Sequence, residues 1–386
     1  MIIKKVGARI VKDSRGQRTI QVYVKTSKGI FKTSSPSGKS TGKFEVRPYG
    51  GNLKGDVWYI NNLKTIGKLD IKKFEDLEQV EKLVGNKLGG NSLFALQASI
   101  LKALARENGK ELWRLLGGRK KLIRSVGNSI GGGLHSSGVG GKKPEFQEFL
   151  FIANGKSFSE NVKLNKIAYN LARKILKARK RNDEGAWETD KSNEAVLDVM
   201  MHVREIMKRK NQKIDIGLDV ASSSFYENGY NYKNPKKKFS PGEQVNYINE
   251  LIKKYNLLYV EDGLDENDFS GFAKLLKKSG KQCLIVGDDL TTTNPSRLKQ
   301  AIKNKSINAI IVKPNQIGSL LKVKEVIDIS NKHRIKTIIS HRSGETMDDT
   351  MGDLAVGWNV DFIKTGIYGK VREVKLKRLM RIEKKE

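Results

Sequence analysis

Six polar residues that end or directly follow apolar runs are the part of this sequence best suited to chemistry. They are Asp219, Glu261, Asp288, Lys313, His341 and Lys364. The runs are nearly continuously apolar, as expected of parallel strands covered on both faces. In a (β/α)8 barrel the carboxyl ends of the strands meet at one rim, where the active site lies. One such residue could simply be the first polar residue of a loop, but six in succession favour a barrel site.

Three of these residues are carboxylates, which points to a metal ion. Asp219, Glu261 and Asp288 would repel one another without a hard cation such as Mg²⁺. Zinc is not expected, because the four histidines and one cysteine include no closely spaced pair. Lys313 and Lys364 would face the same site, where a metal and a second ammonium group lower a lysine pKa enough for general-base catalysis. The set predicts proton abstraction alpha to a carboxylate, with the metal stabilising the developing ene-diolate charge.

Further candidates lie near the predicted rim. Arg342 and Ser343 follow His341 and suit the binding of phosphate oxygens. Glu184, in the segment RKRNDEGAWETDKSNE, is a candidate general acid, although such a loop position is more often an exposed turn.

Two more segments add candidates before Glu184. Gln147 and Glu148 stand at the start of an apolar run, where a buried glutamate needs a partner. His135 lies in the glycine-rich segment SIGGGLHSSGVGG, which is either a loop that closes over a substrate or a disordered connection.

The segment SSPSGKSTGKFE at residues 34–45 looks like the end of a nucleotide-binding P-loop. The full motif has a glycine five positions before the Gly-Lys pair, and that position is Thr33. The sequence that follows has no helical period and contains Pro48, whereas a P-loop opens a helix. Another explanation for this loop is therefore needed.

Composition limits the function classes. The 386 residues carry 74 Lys+Arg against 42 Asp+Glu, a formal net charge of +32, which would attract nucleic acid, anionic membranes or anionic metabolites. The basic residues are spread along the whole chain, and the densest patches, KILKARKRND and NPKKKF, carry no interleaved aromatic residues for base stacking, so a solvated surface is favoured over a nucleic-acid site. No run predicts membrane insertion or a secretory signal, and the single cysteine fits a reducing cytoplasm.

The chain divides into two predicted domains. Residues 1–120 combine short strand-like segments with helical periodicity from residue 63 to 116, which predicts an N-terminal α+β capping domain. Residues 121–386 alternate apolar runs with amphipathic helices, which predicts a (β/α)8 TIM-like barrel that carries the site.

The ordered motifs of the chain resemble those of the enolase (phosphopyruvate hydratase) family, in an archaeal-type and unusually basic form. The resemblance extends from residue 8 to 383 and rests on DSRG, PSGKSTG, QEF, DEG, LDVASSSFY, VED, GDDLTTTNP, KPNQIGSL, SHRSGET and IKTG. A lysine or histidine base with one or two Mg²⁺ ions is the known chemistry of that superfamily. Departures from the family pattern include Lys39, Gly131, Asn182 and Ala186.

The resemblance implies a barrel of the enolase type and reversible dehydration of 2-phospho-D-glycerate to phosphoenolpyruvate. It implies that Lys313 is the base and Glu184 the acid, supported by Glu148 and Gln147, and that Lys364 faces the substrate carboxylate. The other implied roles are metal binding by Asp219, Glu261, Asp288 and, for a second Mg²⁺, Ser40; phosphate binding by Arg342 and Ser343; and pocket lining by His135 and His341.

A homodimer or higher multiple is also implied by the resemblance. Two alternatives remain open from the sequence. One is another acid-sugar dehydratase or racemase of the same superfamily. The other is a protein that uses its positive charge to bind nucleic acid or an anionic surface, beside or instead of catalysis.

Overall fold

The computed structural model describes residues 1–39, 42–119 and 121–385. Within these ranges the chain forms an N-terminal three-stranded sheet with helices, followed by a closed eight-stranded barrel. The predicted fold class is therefore confirmed, whereas the predicted boundary at residues 120 and 121 stays a prediction. No helix in the described ranges is both long enough and apolar enough to cross a membrane.

The N-terminal part is an antiparallel sheet with helix α3 packed against it. Its strands are β1 (Lys5–Lys12), β2 (Arg18–Thr26) and β3 (Gly29–Ser34), and its helices are α1 (Leu53–Asn61), α2 (Leu77–Val84), α3 (Gly90–Glu107) and α4 (Leu112–Leu115). Most of α3 is buried, and its Ser99 Oγ donates to Val22 O of β2 at 3.0 Å. No helix begins between β3 and α1 in the described residues, which agrees with the rejection of a P-loop.

The barrel strands follow chain order around the ring. They are β4 (Arg124–Gly131), β5 (Glu148–Ala153), β6 (Ile214–Asp219), β9 (Tyr259–Glu261), β10 (Leu284–Gly287), β11 (Ala309–Val312), β12 (Lys336–Ser340) and β13 (Phe362–Lys364). Strands β7 (Tyr230–Lys233) and β8 (Lys236–Phe239) form a separate hairpin. All six apolar runs singled out in the sequence are barrel strands.

The helices of the barrel part begin at recognisable caps. They are α5 (Phe158–Leu176), α6 (Asn193–Lys208), α7 (Pro241–Tyr255), α8 (Phe269–Ser279), α9 (Pro295–Lys303), α10 (Pro314–Ile317), α11 (Leu320–Lys332), α12 (Thr350–Gly357) and α13 (Lys370–Lys384). Before α7, for example, Ser240 forms a capping box with Glu243 and a proline occupies the first turn. Such caps satisfy the free N–H groups of the first turn.

The barrel departs from eight parallel strands at β5, which is antiparallel to both β4 and β6. The cause is the connection from β4 to β5, because residues 132–147 contain only a short 3-10 turn. A crossover between parallel strands usually contains a helix, and this connection has none. Consequently the amino-terminal end of β5 lies at the same rim as the carboxyl ends of the other strands, and Glu148 is paired in register with Asp219.

The barrel interior is a separate apolar cluster. It draws residues from seven barrel strands, namely Val126, Leu150, Ile152, Tyr259, Val286, Ala309, Ile311, Ile338 and Phe362. Strand β6 contributes Gly217 here, and a Cβ at that position would lie 2.9 Å from the Cβ of Tyr259. The absence of a side chain at residue 217 thus makes room for the tyrosine ring in a densely packed interior.

Truncation in this interior tests the packing. Ile311 has no exposed surface, so we expect Ile311→Ala to lower the free energy of unfolding by about 2–5 kcal/mol. Ile30 is 63% exposed, and Ile30→Ala should change that free energy by less than about 0.5 kcal/mol. Urea unfolding measures both, and equal effects of the two substitutions would contradict the assigned barrel interior.

Candidate active site

The strand ends converge on one pocket. Asp219, Asp288, Lys313, His341 and Lys364 all line it. The sixth predicted residue, Glu261, has no exposed surface. It contacts the pocket-lining Lys364, which donates a hydrogen bond to Glu261 Oε2. The convergence follows from the parallel register of β6 and β9 to β13, which places their carboxyl ends at one rim.

Lys364 is the centre of a buried charge cluster. Its Nζ lies 2.9 Å from Asp219 Oδ2, 2.8 Å from Glu261 Oε2 and 3.4 Å from Glu148 Oε2. Burial alone would lower the pKa of Lys364, but the charges of Asp219, Glu148 and Glu261 raise it well above its usual value. The lysine is therefore an ammonium group that compensates carboxylates from three barrel strands.

Lys313 and Asp288 form a second buried ion pair. Burial opposes the charged lysine and Arg342 lowers its pKa as well, but Asp288 raises the pKa of Lys313 above its ordinary value. The sequence predicted the opposite direction. That prediction assumes a bound divalent cation beside the two lysines and stays a prediction, because the nearest charge to Lys313 in this arrangement is the Asp288 carboxylate.

Glu148 and Glu184 lie together on the pocket wall with His341. Oxygen atoms of the two carboxylates and a ring nitrogen of His341 lie within 4.8 Å of one another. Burial raises the pKa of Glu148 well above its usual value. Burial also acts to raise the pKa of Glu184, but His135 and the charged Arg372 lower it well below its usual value. These opposite directions favour a proton on Glu148 over a proton on Glu184.

The candidate acid Glu184 is buried, not part of an exposed turn. Asn128 of β4 donates its Nδ2 hydrogen to Glu184 Oε2 at 3.0 Å, and His135 Nδ1 lies 3.3 Å from Glu184 Oε1. Although burial lowers the pKa of His135, Glu184 and Asp183 raise it overall. Asn128 was missed in the sequence, because an asparagine inside a strand carries no motif of its own.

The loop that holds His135 is anchored to the pocket. Lys143 donates from Nζ to Gly133 O at 2.6 Å and to Ser136 O at 2.8 Å. Gln147 also lines the pocket, with its Nε2 3.5 Å from Asp219 Oδ2. Among the predicted residues Ser40 lies outside the described residues, so its proposed role stays a prediction.

His341 and Ser343 are held by Arg372, which the sequence did not single out. Arg372 of α13 is almost fully buried and contacts His341 Nδ1, while its Nη2 donates to Ser343 O at 3.1 Å. Burial and the Arg372 charge keep the pKa of His341 well below its usual value, so its imidazole is neutral. Arg372 lies in the basic sequence KVREVKLKR, where nothing distinguishes it from solvent-exposed neighbours.

Arg342 meets a residue from the N-terminal part. Its Nη1 lies 3.0 Å from Glu45 Oε2 and its Nη2 donates to Glu45 Oε1 at 3.1 Å. Ser343 Oγ accepts a hydrogen bond of 2.8 Å from the Lys39 backbone N–H. The loop at residues 37–39 thus lies directly against the predicted phosphate-binding residues, and Glu45 is a further site residue that the sequence analysis missed.

The acidic residues of the rim fit a hard divalent cation. Carboxylate oxygens of Asp262, Asp288 and Asp289 lie within 4.8 Å of one another, and the buried Asp288 Oδ1 has no hydrogen-bond partner in the described part of the chain. Burial and neighbouring carboxylates raise the pKa of Asp289 to about 7 and that of Glu261 to about 8. An oxygen-only, charge-repelling donor set of this kind suits Mg²⁺.

Only one of the three predicted metal ligands, Asp288, belongs to the group of carboxylates formed with Asp262 and Asp289. Lys364 lies against Asp219 and Glu261, and the third predicted ligand, Asp288, groups with Asp262 and Asp289 instead. The set Asp219, Glu261 and Asp288 stays a prediction, and Asp262 and Asp289 are carboxylates that the strand-end argument did not include. The motif GDD at residues 287–289 was the available signal for Asp289.

Fold and site together define a barrel protein with an acidic, lysine-containing site at the carboxyl ends of its strands. The family model described as "Enolase, C-terminal TIM barrel domain" matches residues 122–386. The chain belongs to the enolase family, as its motifs predicted.

Similar proteins are found across nearly the whole chain. It is 36% identical to the enolase of Thermoplasma acidophilum over 99% of this chain and 98% of the relative. The enolase of Picrophilus torridus is 35% identical with the same coverage, and that of Mycoplasma mobile is 35% identical over 99% of this chain and 95% of the relative. Most of the similar relatives are archaeal, which confirms the archaeal type.

Metal binding can be tested by thermal unfolding at two pH values. Carboxylates whose pKa is raised in the folded state bind more protons there than when unfolded, so stability falls between about pH 4 and pH 8. Mg²⁺ should offset this loss, because it replaces protons on the same carboxylates. We expect the Mg²⁺-induced rise in Tm to be larger near pH 8 than near pH 5.5.

Asp288→Asn should remove most of that rise, whereas Asp328→Asn, at an exposed carboxylate on α11, should keep it. An equal Mg²⁺ effect at both pH values, or an undiminished effect in Asp288→Asn, would contradict a metal site at this rim.

Proposed function

We propose that this protein catalyses the reversible, Mg²⁺-dependent dehydration of 2-phospho-D-glycerate to phosphoenolpyruvate. The observation that carries the proposal is that Lys313, Glu148 and Glu184 line a single pocket in a chain of the enolase family. A base and an acid in one site are what elimination of water across a carbon–carbon bond requires.

Lys313 is proposed as the base that takes the proton from C2. The electron pair of the broken C2–H bond first moves into the substrate carboxylate as an ene-diolate, and in a second step it forms the C2–C3 double bond as the C3–O bond breaks. For this step Lys313 must be neutral, so the Asp288 charge that raises its pKa must be compensated. The rim carboxylates would hold Mg²⁺, whose positive charge would neutralise them, lower the pKa of Lys313 and stabilise negative charge on the substrate carboxylate.

Glu184 is proposed as the acid that protonates the departing 3-hydroxyl group, which leaves as water. Its neighbour Glu148 has the raised pKa of the pair and holds the proton that Glu184 requires. In the reverse direction the ionised Glu184 accepts a proton from the attacking water. Glu148 and Glu184 have pKa values displaced in opposite directions. Such a pair suits a site in which one carboxyl group donates a proton in the forward reaction and accepts one in the reverse reaction.

The remaining cationic groups are proposed to hold the anionic substrate. Lys364 faces the carboxylate, and Arg342 and Ser343 hold the phosphate, with His341 and His135 lining the pocket. Arg342 suits phosphate because a guanidinium group donates two parallel hydrogen bonds. Its pairing with Glu45 leaves the guanidinium oriented before any substrate arrives.

The finer predictions concern the metal ligands, the assembly and the location of the protein. Asp219, Glu261 and Asp288 are proposed to hold one Mg²⁺, with Asp262 and Asp289 beside them. A second Mg²⁺ on Ser40, a homodimer or higher multiple, and a cytoplasmic location stay predictions. No observation favours the nucleic-acid-binding alternative.

Turnover tests the proposal directly. With Mg²⁺ present, the protein should form phosphoenolpyruvate from 2-phosphoglycerate, followed by ultraviolet absorbance, and EDTA should abolish the activity. Lys313→Ala and Glu184→Gln should each lower kcat by at least about 100-fold, because each removes a proton-transfer group.

Lys322→Ala is the matched control, since Lys322 is an exposed lysine on α11 whose loss should leave kcat unchanged. A folded, Mg²⁺-loaded protein without turnover would defeat the proposal. Full activity of Lys313→Ala would instead reject Lys313 as the base.

A further inference from the structure

We propose that Arg181 and Asn182 are positioning residues that hold the turn carrying Glu184 against the pocket. The inference rests on the proposed function, because it assumes that Glu184 acts as the acid. Its evidence is the set of contacts made by residues 181–187, which join Glu184 to strand β4, helix α5 and the loop after β13.

Asn182 folds the turn from within. Its Oδ1 accepts hydrogen bonds from the backbone N–H of Glu184 at 3.0 Å and of Ala186 at 2.9 Å. These two bonds fix the backbone on either side of Gly185, which has a left-handed φ of +83° that favours glycine. The Glu184 side chain therefore leaves a turn whose backbone has little freedom.

The Asn182 side chain fits only because Gly131 has none. A Cβ at residue 131 would lie 2.2 Å from Asn182 Nδ2. Gly131 and Asn182 are two of the positions where this chain departs from the family pattern, and the structure shows that they are spatial neighbours. The two departures are thus complementary in volume, and the amide of Asn182 occupies space that a side chain on β4 would fill.

Arg181 holds the same turn through contacts with three aromatic side chains, those of Tyr169, Trp187 and Tyr368. Its guanidinium carbon lies 4.0 Å from the centroid of the Trp187 ring and 3.9 Å from that of the Tyr368 ring. Its Nε donates to Tyr169 Oη at 2.8 Å, and Tyr169 Oη in turn donates to Gly185 O at 2.6 Å. A planar, stacked guanidinium group with a directed hydrogen bond is a geometry that lysine cannot reproduce.

These contacts connect the acid to rigid elements. Trp187 N–H donates to Ser129 O of β4 at 2.9 Å, and Tyr169 lies on α5. Tyr368 belongs to the loop that follows Lys364, and its carbonyl oxygen would lie 3.0 Å from a Cβ at residue 185. Arg181 thus ties the turn that carries the acid to the loop that follows the strand carrying Lys364.

Weakening the contacts that hold the Glu184 turn should slow only the step that breaks the C3–O bond. Breaking the C3–O bond needs Glu184, whereas removing the C2 proton needs Lys313 on the β11 side of the pocket. A side chain displaced by about 1 Å costs roughly 100-fold in rate. Arg181→Lys and Tyr169→Phe should therefore slow formation of phosphoenolpyruvate but spare the exchange of the C2 hydrogen with solvent.

The experiment measures both steps in the full-length protein with Mg²⁺. Arg181→Lys and Tyr169→Phe should lower kcat for phosphoenolpyruvate formation by about 10- to 100-fold and keep KM within about twofold. Exchange of the C2 hydrogen of 2-phosphoglycerate in deuterium oxide, followed by NMR, should stay within about twofold of the parent rate. Arg173→Lys is the matched control, because Arg173 is exposed and its guanidinium carbon lies 5.3 Å from the Trp187 ring centroid.

Each outcome decides something different. Unchanged kcat in both variants overturns the positioning role. An equal fall in elimination and exchange also overturns it, because a general structural loss would harm both steps. A parent protein that catalyses neither step overturns the proposed function as well. Tyr169→Phe keeps the ring that stacks on Trp187, so it guards against a result caused by misfolding of Arg181→Lys.

Discussion

The compensation of buried carboxylates by two lysines is the constraint on which the site depends. Lys364 contacts carboxylates from β5, β6 and β9, and Lys313 contacts Asp288 after β10. Burying an ion costs several kcal/mol unless an opposite charge and hydrogen bonds offset the loss of water. The two lysines therefore offset part of the cost of burying these carboxylates, and they can do so only because the barrel brings all of these strands to one rim.

The direction of β5 determines which glutamates join that cluster. If β5 were parallel to its neighbours, its first residue, Glu148, would lie at the opposite end of the barrel from Asp219. Because β5 is antiparallel, Glu148 and Asp219 are register partners, and the loop from β4 to β5 brings His135 over the pocket. The connection between these strands thus brings His135 and Glu148 to the side of the site where Glu184 lies, while the parallel strands β6 and β9 to β13 supply the metal and base side.

The sequence was informative where one residue carries its own signal. Charged residues that end apolar runs predicted Asp219, Lys313 and Lys364, since strand ends are visible as a change in hydropathy. The direction of β5 could not be predicted in the same way, because a buried parallel strand and a buried antiparallel strand have the same kind of apolar sequence. Arg372 and Asn128 were missed because each contacts a site residue that is far away in the sequence, His341 and Glu184 respectively.

The loop at residues 34–45 shows how a phosphate-loop composition can serve a different geometry. A P-loop binds phosphate with its own backbone N–H groups at the start of a helix. Here the Lys39 N–H is directed at Ser343 Oγ, and residues 37 and 344 form a backbone bridge. Lys39 Nζ also donates to Leu134 O at 2.9 Å, next to His135. The loop therefore joins two barrel loops at the pocket, the loop that carries Leu134 and His135 and the loop that carries Ser343 and Gly344.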